Sequence, residues 1–322
     1  MLNKQNLNYF SEKVRQKRKT VLYEFLPPPK NLSKKDIEKS ISTFMSMISK
    51  FSIDGVNIPE VREEKRNGQR GASELIKLEP RIVASYIKKH KMIDLIINRP
   101  VVYLPWDKQK RWLEEVLFDY KIHNIILVGG ESSKIKYPGL SVTETASKIK
   151  QDPKYKFKDL ILGGITIPTR KNEHLRVLQK TNAGIEFFTT QILYESYFIK
   201  RFIKKYWQLC LKENIDPKMI FLSFAPISSN RDIELLAWLG VDIPKKVLNL
   251  LTTGWVGVGW RSLQVCQDIL EDTLNFIKKE KIGVPIGINV EHVSKHNFEI
   301  SFLLLERLLT LYDKNRLKKG IN

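Results

Sequence analysis

"TVLYEFLPPPK", residues 20–30, reads as a short apolar strand with Glu24 inside it and three prolines behind it. Proline has no N–H to give to a sheet ladder, so the strand stops there. A carboxylate at the buried end of a strand needs a partner, a proton or a task. Seven more runs of the same character follow: "GVNIP" (55–59), "PVVYLP" (100–105), "NIILVGGE" (124–131), "LILGGITIP" (160–168), "FFTTQ" (187–191), "MIFLSFAP" (219–226) and "VPIGINVE" (284–291). Between them lie amphipathic segments such as "SKKDIEKSISTFMSMISK", "YESYFIKRFIKKYWQLCLKE" and "SLQVCQDILEDTLNFIKKE". Eight strands alternating with helices in 322 residues predict a (β/α)₈ TIM barrel, since doubly wound open sheets usually stop short of eight. No Gly/Ser/Pro-rich linker breaks the alternation, so residues 1–322 are read as one domain with a short basic extension over about 1–19.

With 42% hydrophobic and 28% charged residues, the chain can bury a sizeable core and is no disordered tail. The formal charge of +20 points to a polyanionic or phosphorylated partner, or to a lysine-rich composition. The basic residues are scattered over many helices, and the densest clusters, "KVRQKRK" (13–19) and "KKYW" (204–207), match no nucleic-acid module, so the compositional reading is preferred. Cys210 and Cys266 read as reduced thiols; the N-terminus lacks the apolar core of a signal peptide and no run is long enough to span a bilayer, which together predict a cytoplasmic protein. His292 and His296 have no further ligand near them in sequence, and no metal site is expected.

In a barrel of this kind chemistry gathers at the C-terminal ends of the strands. Glu24, Asn57, Glu131, Thr166, Gln191, Ser223, Asn289 and Glu291 all lie in or at the end of strand candidates. Glu24 stands among Tyr23, Phe25 and Leu26, where desolvation should raise its pKa toward a value useful for proton donation. Its bland alternative is pairing with a lysine inside the barrel. Gln191 offers an amide suited to the edge of a heterocycle, or a helix cap. The pairs Gly129–Gly130 and Gly163–Gly164 leave room for a flat ligand or a phosphate to approach the backbone. Glu173, Arg176 and Lys180 share one helix face, where they line a pyrophosphate or form a solvated ion-pair stripe. The polar stretch 57–74 is the candidate substrate loop.

"YEFLPPPK" resembles the strand-1 signature of the methylenetetrahydrofolate reductases, and "NAGIEFFTTQILYE" resembles their strand-6 signature with its Thr-Gln pair. "VNIPEVREEKRNG", "ILGGITIP" and "IFLSFAPISS" are similar to their strand-2 loop, strand 5 and strand 7 in the same order, from about residue 20 to 250. The resemblance implies a barrel that carries FAD and reduces a methylene-tetrahydropterin to the methyl form, with a reduced nicotinamide or another hydride donor as co-substrate. It implies that Glu24 is the general acid, that Glu131 is the acid beside flavin and substrate, and that Gln191, Asn57 and Ser228 contact the pterin. Gly129, Gly130, Gly164, Thr166, Glu173, Arg176 and Lys180 fall on the cofactor side.

The family's Arg-Gly-Asp after strand 4 is replaced here by Gly129-Gly130-Glu131, which removes a fixed positive charge beside the cofactor. That departure motivates a second reading: a flavin-free pterin-binding barrel acting as an accessory or methyl-transfer subunit. A basic nucleic-acid-binding protein is the third and weakest reading, since it rests on charge alone. The tryptophan-rich "VLNLLTTGWVGVGW" (247–260) is a candidate surface for a homo-oligomer or a partner reductase subunit, or packing between the last two strands.

Overall fold

The alternation closes on itself. In the computed structural model, which describes residues 9–62, 76–90, 93–132, 135–157, 159–253 and 257–317, the strands are β1 (Val21–Glu24), β2 (Gly55–Pro59), β3 (Asp94–Pro100), β4 (Asn124–Val128), β5 (Ile161–Thr166), β6 (Phe187–Thr190), β7 (Met219–Phe224) and β8 (Ile286–Glu291). All are parallel and pair in chain order, and β1 pairs with β8 to complete the (β/α)₈ barrel. The outer layer includes α2 (Lys34–Ile48), α3 (Pro80–His90), α4 (Trp106–Glu114), α5 (Val142–Gln151), α6 (Glu173–Ala183), α7 (Tyr197–Lys212), α8 (Asn230–Trp238), α9 (Lys245–Thr252), α10 (Val258–Lys279) and α11 (Phe298–Leu317). Among the described residues no helix is long and apolar enough to cross a membrane.

The third strand lies earlier than the 100–105 expected for it. Asp94 and Arg99 disguise "DLIINRP" as a polar stretch, yet Arg99 faces outward, donates to Glu60 and Gln109, and lies 4.3 Å over Trp112. Val101 and Val102 are buried in the turn that follows rather than paired as strand.

Side chains two apart on a strand share a face, so each strand contributes alternate residues to the lumen. The floor is an apolar layer of Leu22, Ile96, Ile126, Ile161, Phe187, Met219 and Phe221. Gly163 and Gly287 belong to it by omission: a Cβ on either would collide with the ring of Phe187 or Phe221. Residues Tyr9–Arg15 form a helix, α1, that plugs this floor from below with Phe10 and Val14; Phe10 packs edge-on against Phe187 at 5.2 Å. The Phe10 N–H donates to Asp94 at 2.7 Å. The basic run behind Phe10 rings the plug with ion pairs, Lys13 to Asp54, Arg15 to Glu186, Lys17 to Asp216 and Lys19 to Asp313.

Candidate functional site

One step further along each strand, the same lumen-facing positions change character. Two residues beyond Leu22, Gly55, Ile96, Phe221 and Gly287 stand Glu24, Asn57, Asn98, Ser223 and Asn289, and Glu291 closes the series. They form a polar crescent running from β7 through β8, β1 and β2 to β3. The facing arc is largely apolar: Val128 on β4 and Ile165 on β5 pack on the floor, with Thr189 of β6 beside them. A mouth with one hydrogen-bonding wall and one apolar wall suits a flat, one-edged polar ring.

The crescent is tied together by amides. Glu24 Oε2 accepts from Asn57 Nδ2 at 2.8 Å and from Asn98 Nδ2 at 3.1 Å, while Asn289 Nδ2 donates to Ser223 Oγ at 3.1 Å and Glu291 Oε1 at 3.0 Å. The three asparagines are buried, and the Oδ1 atom of each has no partner. A buried acceptor left unpaired costs about 1–3 kcal/mol, so these oxygens are places for ligand N–H groups or water. Burial pushes the Glu24 carboxyl well above the usual range; the charge of Glu291 adds to this and the Asn98 hydrogen bond opposes it. Burial also raises Glu291, against hydrogen bonds from Ser223 and Asn289. A carboxyl that keeps its proton near neutrality, beside unpaired acceptors, is equipped to donate that proton to a bound base. His292, behind Glu291, is buried between Phe25 and Phe298 with neither ring nitrogen paired, and burial pulls it down to about 4.

The residues expected on the cofactor side are differently employed. Thr166 Oγ1 and the Ile167 N–H both donate to Glu173 Oε1, at 3.2 and 3.1 Å, and Lys180 Nζ donates to the Ile165 carbonyl at 2.7 Å. These contacts brace the end of β5 against α6, and burial lowers the Lys180 pKa. Arg176, with 57% of its side chain exposed, lies 3.8 Å from Glu173. The space beside Gly130 is filled by the Tyr137 ring, and a Cβ on Gly164 would meet Phe188 at 3.3 Å on the outer face. Among the described residues, Gly129 has only Val142 within reach, at 3.8 Å, and the buried Glu131 Oε2 has no partner. Thr166 thus spends its hydroxyl on Glu173 and Lys180 one of its three N–H donors on the Ile165 carbonyl, while Arg176 stays exposed.

Among the expected substrate contacts, Asn57 lies in the crescent. Gln191 follows β6 and turns its Nε2 toward the carbonyls of Gly240 and Leu239, at 3.1 and 3.4 Å, in a small pocket with Tyr194, Glu195 and Phe198. Ser228 is engaged in the loop after β7: its N–H and hydroxyl both donate to Asp232, a buried carboxylate that also accepts from Ser229 N and Ser294 Oγ. The candidate loop beyond Arg62, over 63–75, lies outside the described residues. Asn98 escapes a sequence reading that sets strand 3 too late. Its signal is the alternation of Ile96 and Asn98, the same as that of Leu22 and Glu24.

No protein-family model matches the chain, and no curated protein matches it. Among solved structures, an uncharacterized protein from Clostridium thermocellum that binds two copies of 5-methyl-5,6,7,8-tetrahydrofolic acid is 26% identical, with a TM-score of 0.76, over 94% of this chain and 99% of that one. The spore cortex-lytic enzyme SleL of Bacillus cereus matches at 10% identity and a TM-score of 0.47, over 89% of this chain and 74% of that one.

Proposed function

We propose that the barrel mouth binds a reduced pterin of the tetrahydrofolate class and that Glu24 gives its proton to a ring nitrogen of that ligand. The observation that carries this reading is the unpaired Oδ1 atoms of Asn57, Asn98 and Asn289 beside Glu24, whose carboxyl burial pushes upward. A reduced pterin is a flat ring with N–H donors along one edge, which complements the crescent, while its faces and other edge suit Val128 and Ile165. The 5-methyltetrahydrofolic acid bound by the Clostridium thermocellum neighbour supports the same ligand class.

Both one-carbon reactions of such a ligand need a proton at nitrogen. Opening a methylene bridge releases an electron pair on a ring nitrogen, and removing a methyl group from nitrogen does the same; an amine leaves far more readily once protonated. Glu24 supplies that proton, Asn57 and Asn98 fix the carboxyl that carries it, and Glu291 sets opposing charge against a cationic pterin. Because Thr166 and Lys180 brace β5 against α6 and Gly129 stands where the resembled family has arginine, we read the chain as a proton-donating pterin barrel whose hydride source or methyl acceptor comes from another component. The flavin-dependent methylene-tetrahydropterin reductase is the second reading, favoured by the open face of Gly129 and the unpaired Glu131 Oε2.

Calorimetric titration of the full chain with 5-methyl- and 5,10-methylene-tetrahydrofolate tests the first reading. Binding of one or both is expected, and no heat with either at millimolar concentration would sink it. The visible spectrum of the purified protein after incubation with FAD separates the two: stoichiometric flavin selects the reductase.

A further inference from the structure

We infer that Glu291 is a positioning residue that shares one proton with Glu24 and thereby keeps Glu24 in its donating form. The ligand in this inference rests on the pterin reading; the proton pair rests on the strand register and on the charge environment of the two carboxyls. β1 and β8 close the barrel in a register that sets Glu24 directly against Glu291. Neighbouring strands run about 4.8 Å apart, so two lumen-facing carboxyls in that register stand side by side. Each is anchored through one oxygen, Glu24 through Oε2 by Asn57 and Asn98 and Glu291 through Oε1 by Asn289, so one further oxygen on each remains to carry a proton.

The groups facing the pair are the uncharged Asn57 of β2, Asn98 of β3, Ser223 of β7 and Asn289 of β8; Tyr194 lies within reach of the Glu291 charge, and His292 behind them, which senses Lys77, is held neutral by burial. Among the described residues no lysine or arginine is ion-paired with either glutamate. Two adjacent carboxylates, half-buried in a barrel mouth without a counter-cation, resist ionising together near neutrality. Burial and mutual charge act in the same sense on Glu24. In the step this permits, the Glu24 O–H bond breaks as an N–H bond forms on the pterin. The pair is left doubly negative against a cationic ligand, and Glu24 regains its proton from water after release.

Carbon-13 NMR titration of glutamate-labelled, ligand-free full chain tests the pair apart from any pterin. Two separated steps are expected for Glu24 and Glu291. In Glu291→Gln, which keeps the side-chain shape and removes the charge, the Glu24 step should fall by roughly one pH unit or more. Glu24→Gln should lower the Glu291 step in return, and Glu291→Asp should retain two steps. An unmoved Glu24 step in Glu291→Gln overturns the inference. Because no ligand is present, failure of pterin binding leaves this outcome readable, and failure of the pair leaves the pterin titration readable.

Discussion

The floor and the mouth of the barrel are built by the same strands, two residues apart, and they have opposite properties. At the floor, Leu22, Ile96, Phe187 and Phe221 close around Phe10, and every inward side chain is satisfied by apolar contact. At the mouth, Glu24, Asn98, Thr189 and Ser223 occupy the next positions on those strands, and the buried Oδ1 of Asn98 is unpaired. Stability is concentrated where all contacts are made; recognition is concentrated where they are left open. Unsatisfied groups cost stability, and the molecule carries that cost where a ligand can relieve it.

The sharpest way to break the contrast is at Glu24. Glu24→Gln should retain the asparagine contacts and bind a reduced pterin within a few-fold of the parent, while its one-carbon chemistry falls by roughly 10²–10⁴-fold, read by single-turnover rates. At the floor, Phe10→Ala should cost about 3–5 kcal/mol in chemical denaturation and leave pterin affinity unchanged in the protein that remains folded. Asn98→Leu should separate the two regions most clearly. Pterin affinity should drop by about 1–3 kcal/mol, measured by titration, with no comparable loss of fold stability, because an unpaired oxygen leaves together with the donor to Glu24.

Stability should also depend on pH in opposite directions at neighbouring residues. Glu24 and Glu291 titrate higher in the folded chain than the 4.5 of a free glutamate, so their contribution is fully present below that value and is lost as pH rises through the folded values. Glu291→Gln should therefore gain melting temperature over the parent at pH 8 and match it near pH 4. His292 works in reverse: lowered from 6.5 to about 4, it should cost stability as pH falls between those values, and His292→Leu should flatten that limb. The smallest effect belongs to the rim of the plug. Lys17→Ala removes a largely exposed pair with Asp216 and should change stability by less than about 1 kcal/mol, an effect that added salt erases.

Much of this is legible in the order of residues alone. The barrel follows from eight β-rich runs between amphipathic helices, and Glu24 stands out as a charge inside an apolar strand. Asn57 and Glu291 are visible as polar strand ends. Asn98 is not, because Arg99 beside it makes strand 3 read as polar, and only the packing of Arg99 against Trp112 and Glu60 shows how that charge is held outside the barrel. The basic run 13–19 reads as an extension; its lysines and arginine meet acids that are distant in sequence, Asp54, Glu186, Asp216 and Asp313.

The sequence by itself determined the period of the chain and hence its fold class, because alternation of apolar residues is a local property that any strand or helix must express. It also placed polar groups near strand ends. Only the tertiary structure decided which of those groups meet. Barrel closure brings β1 against β8, residues far apart in the chain, and so creates the Glu24–Glu291 pair; the inward or outward face of each strand decides that Asn98 joins it while Thr166 turns away to brace α6. Proton affinity and ligand complementarity arise from that convergence, since burial and like charge act through space and leave no trace in spacing along the chain.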